Sequence, residues 1–308
     1  MPMNLAAGRA LLKQVLKVWL DGHVPSMGAA LAYYTMFSLA PLMLIVISVA
    51  GLVFGEEAAR GEVQSQLTSL MGAQGARAVQ DLLTSVPKRG EGQAATALGL
   101  LLLFVGATTV FGELQDALDR IWRVAPRGST SAWLTLVRER LLSFGMILAI
   151  GFLLMVSLVG SATLAAMGRR LEPIFGGWYG LAGAAGEFGA FVLAAVLFAL
   201  IYKLMPRVQV QWKDVWIGAL FTALLFTLGK VLIGLYVARS DVVSAFGAAG
   251  SLVVVLLWVY YSAQIFLIGA TFTWVYANAF GSRRALATAV HPDSGVTPAA
   301  QAHPSHQL

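Results

Sequence analysis

The sequence contains no cysteine and few charged residues. Asp, Glu, Lys and Arg together make up 12% of its 308 residues, whereas roughly 25% are charged in an ordinary soluble domain. The absence of cysteine excludes disulfides, iron–sulfur clusters and thiol catalysis. Four histidines are present, and none lies in an apolar run: His23, His291, His303 and His306. A metal site, such as that of a metal-dependent nuclease, needs clustered ligands, and these histidines give no such cluster in an apolar run. We therefore predict no metal site, no cofactor and no catalytic residue.

Two signatures of nucleotide and acyl chemistry are also absent. No glycine-rich loop ending in Gly-Lys-Ser/Thr occurs, which argues against ATP-driven transport by this chain alone. No Gly-x-Ser-x-Gly elbow is present, so a serine hydrolase of that type is not indicated. We therefore expect a protein that is not an enzyme.

Long hydrophobic runs dominate the composition instead. Hydrophobic residues make up 58% of the chain, and the mean hydropathy is +0.76. These runs differ from the alternating segments of about ten residues that a transmembrane β-barrel needs, so we predict an all-α integral membrane protein. Six runs are long enough to cross about 30 Å of hydrocarbon. They cover approximately residues 28–54, 94–112, 141–165, 181–202, 215–238 and 250–276.

Lysine and arginine predict the orientation of this six-helix bundle. The N-terminal segment, residues 113–140, residues 203–214 and the C-terminal tail carry 13 of these residues, and the opposite side of the membrane carries 7. Cytoplasmic loops are enriched in Lys and Arg, so both termini are predicted to be cytoplasmic. The net charge of +6 is explained by this asymmetry, and no nucleic acid partner is expected.

Residues 1–27 are predicted to form a cytoplasmic amphipathic helix. Three leucines and a tryptophan fall near one helical face, and three basic residues recur every four positions on another. This pattern favours a helix that lies on an anionic leaflet over a plain solvated helix. The apolar residues are Leu5, Leu12, Leu16 and Trp19, and the basic ones are Arg9, Lys13 and Lys17.

Two further segments lie outside the predicted spans. Residues 55–93 form the longest connection and show helical spacing of apolar residues, interrupted by Gly72 and Gly75. We predict one or two short amphipathic helices there, outside the membrane and ending near Pro87. Residues 281–308 are rich in Ala, Pro, His and Gln, which predicts a disordered cytoplasmic tail.

Two ionisable side chains fall inside predicted spans, where charge is costly and therefore marks a functional candidate. Glu187 and Lys230 lie in consecutive spans, at depths of roughly 9 and 12 Å from the same surface if each residue rises 1.5 Å. We predict that they pair or jointly line a polar cavity. Two alternatives stay open: an ion pair that only fixes helix register, or a Glu187 that reaches the headgroups.

Tyrosines lie in the middle of the last predicted span, away from the membrane interface where they usually collect. Buried tyrosine hydroxyls need partners, and Gln264 is a polar neighbour of Tyr260 and Tyr261. This favours the interior of the bundle for the last helix, although close helix packing alone would also explain the pattern. Tyr260, Tyr261 and Gln264 thus join Glu187 and Lys230 as a candidate intramembrane polar site.

Three carboxylates share one helical face where the second predicted span ends. Glu113, Asp116 and Asp119 recur at positions i, i+3 and i+6. Such a cytoplasmic acidic face can bind a cation or relay protons. A solvated face with intrahelical ion pairs is the favoured interpretation.

Pro41 lies in the middle of the first predicted span. Proline removes one helical hydrogen bond and crowds the preceding turn, so we predict a kink at this position. A true break, of the kind that builds sites in transporters, is the less favoured alternative.

Four stretches of sequence carry a family resemblance. They are GAALAYYTMFSLAPLMLIVISVAGLVFG from Gly28, LQDALDRIWRV from Leu114, LMPRVQVQWKDVWIGAL from Leu204 and FGAAGSLVVVLLWVYYSAQIFLIGATFT from Phe246. Together they resemble the YihY/BrkB family of bacterial inner-membrane proteins over roughly residues 10–280. The resemblance implies six helices, an inner-membrane location and no assigned reaction. Members of the family were long labelled ribonuclease BN, a tRNA-processing label regarded as misassigned, and some are linked to serum resistance or lipid export.

The resemblance also sets the functional expectation. We expect a transporter or lipid-translocating protein of unknown substrate, with a non-transporting membrane scaffold as the alternative. Its expected partners are membrane lipids, anionic ones at the cytoplasmic leaflet, and a second copy of the chain. The sequence departs from the family pattern at two positions: Thr271 stands where Glu is usual, and Asp119 where Asn is usual.

Overall fold

The described elements of the protein are helices. A computed structural model describes residues 5–84, 109–124, 178–239, 246 and 249–284, and it shows no strand within these ranges. The helices are α1 (Leu5–Asp21), α2 (Val24–Phe54), α3 (Glu56–Thr84), α4 (109–121), α5 (Trp178–Leu204), α6 (Trp212–Arg239) and α7 (Gly250–Ala279). The predicted all-α class is confirmed. The predicted span at 141–165, most of the one at 94–112, and the tail beyond 284 lie outside the described residues.

The described residues give three helices that are long and apolar enough to cross a membrane. The candidate spans are Gly183–Leu204 in α5, Trp212–Val237 in α6 and Gly250–Ala279 in α7. Their bounds agree with the predicted fourth, fifth and sixth spans to within a few residues. The agreement has a local cause: α5 ends shortly before Pro206, a residue that cannot continue a helix.

One face of α6 is apolar and exposed. Leu220, Leu224, Leu228 and Leu232 recur every four residues and keep 46–61% of their surface exposed. Residues at this spacing lie on the same side of a helix. A continuous leucine stripe of this kind is costly in water and favourable against lipid tails. It is therefore the face that we expect to meet the bilayer.

Helix α1 has two different sides. Leu11 and Val15 are buried, whereas Leu12, Leu16 and Leu20 are 54–56% exposed. The basic residues Arg9, Lys13 and Lys17, predicted on one face of this helix, are exposed as well. An exposed leucine row beside an exposed basic row is typical of a helix at a membrane interface.

Positive backbone angles separate the next helices. Gly55, with φ 86°, joins α2 to α3, and Gly72, with φ 76° and ψ 172°, breaks α3. Glycine adopts such angles at little cost because it lacks a Cβ atom. The predicted segment 55–93 thus contains a helix in two parts, and its break lies at one of the two glycines where the sequence pattern is interrupted.

The described residues divide into two compact units. The first unit contains α1, the part of α4 that begins at Leu118, α5, α6 as far as Ala223, and α7 from Ile268. The second contains α2 from Pro25, α3, α4 as far as Ala117, α6 from Leu224, and α7 as far as Leu267. In the second unit, α3 packs against α6 and α7 through a buried cluster: Met71, Ala78, Val79, Ile233, Val237, Val254 and Val255.

Candidate functional site

Gln264 is a buried amide in the middle of α7. Its side chain is 9% exposed, and Nε2 donates a hydrogen bond to the backbone carbonyl oxygen of Pro25 at 3.0 Å. Gly28 makes room for this side chain, because a Cβ atom there would lie 2.9 Å from Cδ of Gln264. The other amide atom, Oε1, is buried and accepts no hydrogen bond from the described residues. A buried acceptor without a donor is costly, so Gln264 offers a position for a polar ligand or water.

Both tyrosines, Tyr260 and Tyr261, lie about one helical turn from this amide on α7 and are half-buried. Tyr261 packs on Gly229 of α6: a Cβ atom at Gly229 would lie 3.0 Å from Cε1 and 3.1 Å from the hydroxyl oxygen of Tyr261. Tyr261 therefore contacts the residue that precedes Lys230. That Tyr260, Tyr261, Gln264 and Lys230 form one polar site stays a prediction.

The two predicted membrane charges have different surroundings. Glu187 in α5 is exposed and belongs to the first unit, whereas Lys230 in α6 is half-buried and belongs to the second. Their pairing stays a prediction. Around Glu187, a Cβ atom added at Gly183, Gly186 or Gly189 would meet nothing within 4 Å among the described residues.

Polar side chains recur along one face of α7, with Ile268 and Val275 between them. Tyr260, Tyr261, Gln264, Thr271 and Asn278 fall within an arc of about 100° when each residue turns the helix by about 100°. From Tyr261 to Asn278 the face rises about 26 Å, close to the thickness of the hydrocarbon core. Thr271 has no exposed surface, so the position where the resemblance leads one to expect Glu holds a neutral hydroxyl. We call these five residues the polar face of α7.

A close-packed junction of glycine and threonine joins α6 and α7 on another side. A Cβ atom at Gly218 would clash with Oγ1 of Thr273, and one at Gly269 would clash with Oγ1 of Thr222. Both threonines donate to backbone carbonyls of their own helices: Thr222 to Gly218 and Thr273 to Gly269, each at 2.7 Å. Each glycine therefore receives the threonine of the partner helix. We call these four residues the Gly–Thr seam.

Tyr202 of α5 completes the buried hydroxyl network at this seam. Its ring is fully buried, and its hydroxyl oxygen lies 3.0 Å from Oγ1 of Thr222. Because the single proton of Thr222 is given to a carbonyl, Tyr202 is the donor in this pair. The sequence alone did not indicate Tyr202 or Thr222; only their position beside small residues in apolar runs hints at helix contact.

The three predicted carboxylates of α4 are not alike. Asp116 is exposed, Glu113 is half-buried, and Asp119 is only 7% exposed. Oδ1 of Asp119 accepts the backbone N–H of Arg207 at 2.8 Å, and Oδ2 lies 3.3 Å from the Arg207 guanidinium nitrogen Nη1. Asp119 thus fastens α4 to the turn after α5. Within the described ranges, no three His, Asp or Glu side chains form a group suited to a metal ion.

The first predicted span contains no interruption of the helix. Helix α2 runs from Val24 to Phe54 and includes Pro41. Its kink at Pro41 remains a prediction, and so does the cation or proton role of the acidic face on α4.

Long apolar helices with an exposed leucine stripe and inward polar groups define a helical integral membrane protein. The family model described as virulence factor BrkB matches residues 15–292, and the chain belongs to this family. The resemblance seen in the sequence is therefore confirmed.

The names of the similar proteins describe them as membrane proteins and state no activity. A UPF0761 membrane protein from Ralstonia nicotianae is 30% identical over 270 residues, which is 87% of this chain and 59% of the relative. One from Pseudomonas paraeruginosa is 29% identical over 250 residues, 80% of this chain and 57% of its own length. One from Tolumonas auensis is 26% identical, with 83% of this chain and 82% of the relative covered. The chain thus spans a little over half the length of the first two relatives. No solved structure matches.

Proposed function

We propose that this BrkB-family protein moves a lipid or another amphipathic solute across the bacterial inner membrane, along the polar face of α7. The observation that carries the proposal is the buried Oε1 of Gln264, which has no donor among the described residues. Polar groups inside membrane helices are costly and are usually kept for substrate or ion pathways. Gln264 lies on a face whose polar residues extend over most of the hydrocarbon thickness.

The second candidate function is a membrane scaffold without transport. The Gly–Thr seam favours it, because the α6–α7 contact there is too tight for an added methyl group. A scaffold needs only such a packed core, whereas a transporter needs a polar route. The two candidates therefore make opposite predictions for a substitution that removes the polarity of Gln264 and leaves the seam intact.

Lipid movement tests the proposal directly. The purified chain is reconstituted in vesicles of phosphatidylethanolamine and phosphatidylglycerol that contain a trace of headgroup-labelled fluorescent phosphatidylglycerol. A membrane-impermeant reductant then quenches the outer leaflet only, unless the protein exchanges lipids between leaflets. We expect exchange by the native chain and a rate about tenfold lower for Gln264→Leu, since one polar contact of about 1.4 kcal/mol is lost.

Thr273→Val is the matched control for this experiment. It has nearly the same shape as the native residue and changes polarity on the same helix, but on the seam rather than on the polar face. We expect its exchange rate to stay close to the native rate. Native vesicles that behave like protein-free vesicles would contradict the proposal and favour the scaffold. Equal exchange rates for Gln264→Leu and the native chain would overturn the route along the polar face of α7.

We also propose six spans with both termini in the cytoplasm. The exposed basic residues of α1 support this orientation, because Lys and Arg are enriched on the cytoplasmic side. The chain has no cysteine, so single cysteines report topology without background. In cells with a permeabilised outer membrane, an impermeant maleimide should label Glu57→Cys before lysis and Lys17→Cys only after lysis. The reverse pattern would overturn the orientation.

A further inference from the structure

A basic pocket opens where α5 ends and α6 begins. It has a volume of about 570 Å³, within the range of roughly 300–1,000 Å³ typical of small-molecule sites. The turn between the two helices forms one wall, and the residues that follow α7 form the other. The lining residues are Lys203, Gln209, Val210, Gln211, Trp212, Lys213, Ser282 and Arg283. All of them belong to the first unit.

The lining has cations and hydrogen-bond donors but no carboxylate. Lys203, Lys213 and Arg283 contribute three positive charges, and within the described part of the chain none of them forms an ion pair. Cations that line one pocket repel one another, and a bound anion relieves that repulsion. The ligand that fits this lining therefore carries concentrated negative charge.

The nearby acid, Asp214, holds the wall of the pocket together. Its side chain is 3% exposed. Oδ2 accepts hydrogen bonds from Oγ of Ser282 at 2.6 Å and from the backbone N–H of the same residue at 3.1 Å. Gly281 fits against the same carboxylate, since a Cβ atom there would lie 2.8 Å from its Cγ. These contacts fix the segment that carries Arg283.

Aromatic rings and a carbonyl hold two of the cations in position. Nζ of Lys203 donates to the carbonyl oxygen of Val210 at 2.5 Å and lies 5.6 Å from the centre of the Trp212 ring. Cζ of Arg283 lies 5.3 Å from the centre of the Trp122 ring. An ammonium has three N–H donors and a guanidinium has five, so both cations keep donors for a ligand. A guanidinium stacked on a ring leaves its edge free for two oxygens of one phosphate.

The pocket lies at the ends of two candidate spans, which is the level of lipid headgroups. One span ends at Leu204 and the next begins at Trp212. Trp212 and Trp216 are 47% and 40% exposed, and exposed tryptophans at the end of a span are typical of the membrane interface. The first turn of α6 also adds the positive end of a helix dipole, which favours an anion.

We infer that this pocket binds a phosphate group, carried either by an anionic lipid headgroup or by a free phosphate in the adjoining aqueous phase. The site does not require that the protein moves lipids: a scaffold could hold a structural lipid in the same place. Its test therefore measures binding, whereas the test of transport measures exchange between leaflets.

Lys213→Glu is the informative variant, because Lys213 is exposed and its replacement leaves the buried supports of the pocket untouched. Arg239→Glu is the matched control: it makes the same charge change on the same helix, about 39 Å away along the axis. Native mass spectrometry of the full chain in detergent measures retention of phosphatidylglycerol and phosphatidylcholine. Thermal unfolding with and without inorganic phosphate measures binding of the free anion.

We expect the native chain and Arg239→Glu to bind phosphatidylglycerol alike, and Lys213→Glu to bind it about tenfold more weakly or worse, because an attractive charge becomes a repulsive one. The double variant Lys203→Gln/Arg283→Gln should lose binding altogether, provided that its size-exclusion profile and helical content stay native.

Lipid binding that inorganic phosphate does not weaken identifies a headgroup site. Stabilisation by inorganic phosphate, lost in Lys213→Glu, identifies a free phosphate. Equal binding by Lys213→Glu and the native chain, or equal losses in Lys213→Glu and Arg239→Glu, would overturn the inference.

Discussion

Gly218→Ala is expected to destabilise the protein by roughly 1–3 kcal/mol, the usual cost of inserting a methyl group into a packed core. The new Cβ atom would lie 2.8 Å from Cβ and 3.0 Å from Cγ2 of Thr273, and it would clash with Oγ1 of the same residue. Thr273 is fully buried and its hydroxyl is bonded to Gly269, so it has little room to move. Thermal unfolding in a mild detergent measures the loss.

Two companion variants make this prediction specific. Gly234 lies on the same helix, and a Cβ atom there would meet nothing within 4 Å in the described structure. Gly234→Ala should therefore leave stability unchanged or raise it by about 0.4–1 kcal/mol through the unfolded state. Gly218→Ala/Thr273→Gly removes all three contacts and should restore most of the lost stability. If Gly218→Ala and Gly234→Ala unfold at the same temperature, the Gly–Thr seam is not close-packed.

Asp119→Ala is expected to destabilise the protein by roughly 1.5–3 kcal/mol, the range for hydrogen bonds with a charged partner. The substitution removes the acceptor of the Arg207 backbone N–H and the partner of its guanidinium. The Arg207 side chain is 34% exposed, so water partly replaces the lost charge contact and the cost stays below that of a fully buried ion pair. Asp119→Asn keeps one acceptor and should lose less.

Asp116→Ala is the control on the same helix. Asp116 is exposed, and substitutions at such positions usually change stability by less than about 0.5 kcal/mol. Chemical denaturation of the three variants in one detergent measures these losses. A loss confined to Asp119 identifies a structural anchor, whereas equal effects at Asp116 and Asp119 would contradict this role.

The sequence predicted helices well and helix contacts poorly, for physical reasons. Runs of apolar residues end at Pro206, at glycines or at charges, so the bounds of α5, α6 and α7 follow from local chemistry. The contacts of Asp119 depend on Arg207, which lies 88 residues away. Helical spacing placed Asp119 on one face with Asp116, but spacing cannot tell which part of that face another segment covers.

For the polar residues too, the sequence predicted the candidate side chain but not its contacts. Gln264 was identified from its type and its depth in the last span, and the structure gives it a buried amide that contacts α2. Its partner, the carbonyl of Pro25, is 239 residues away, and no sequence pattern links the two. The basic pocket was missed because its residues come from two distant segments whose lysines and arginines were counted only as orientation signals.

The Gly–Thr seam determines which movements α6 and α7 can make against each other. Gly218 receives Thr273, and one helical turn further along, Thr222 meets Gly269. Sliding one helix by a turn of about 5.4 Å in one direction would bring Thr222 against Thr273, and in the other direction it would leave a void between Gly218 and Gly269. The Gly–Thr seam therefore resists a shear of one turn between α6 and α7, and we expect the two helices to move together where they meet at the seam.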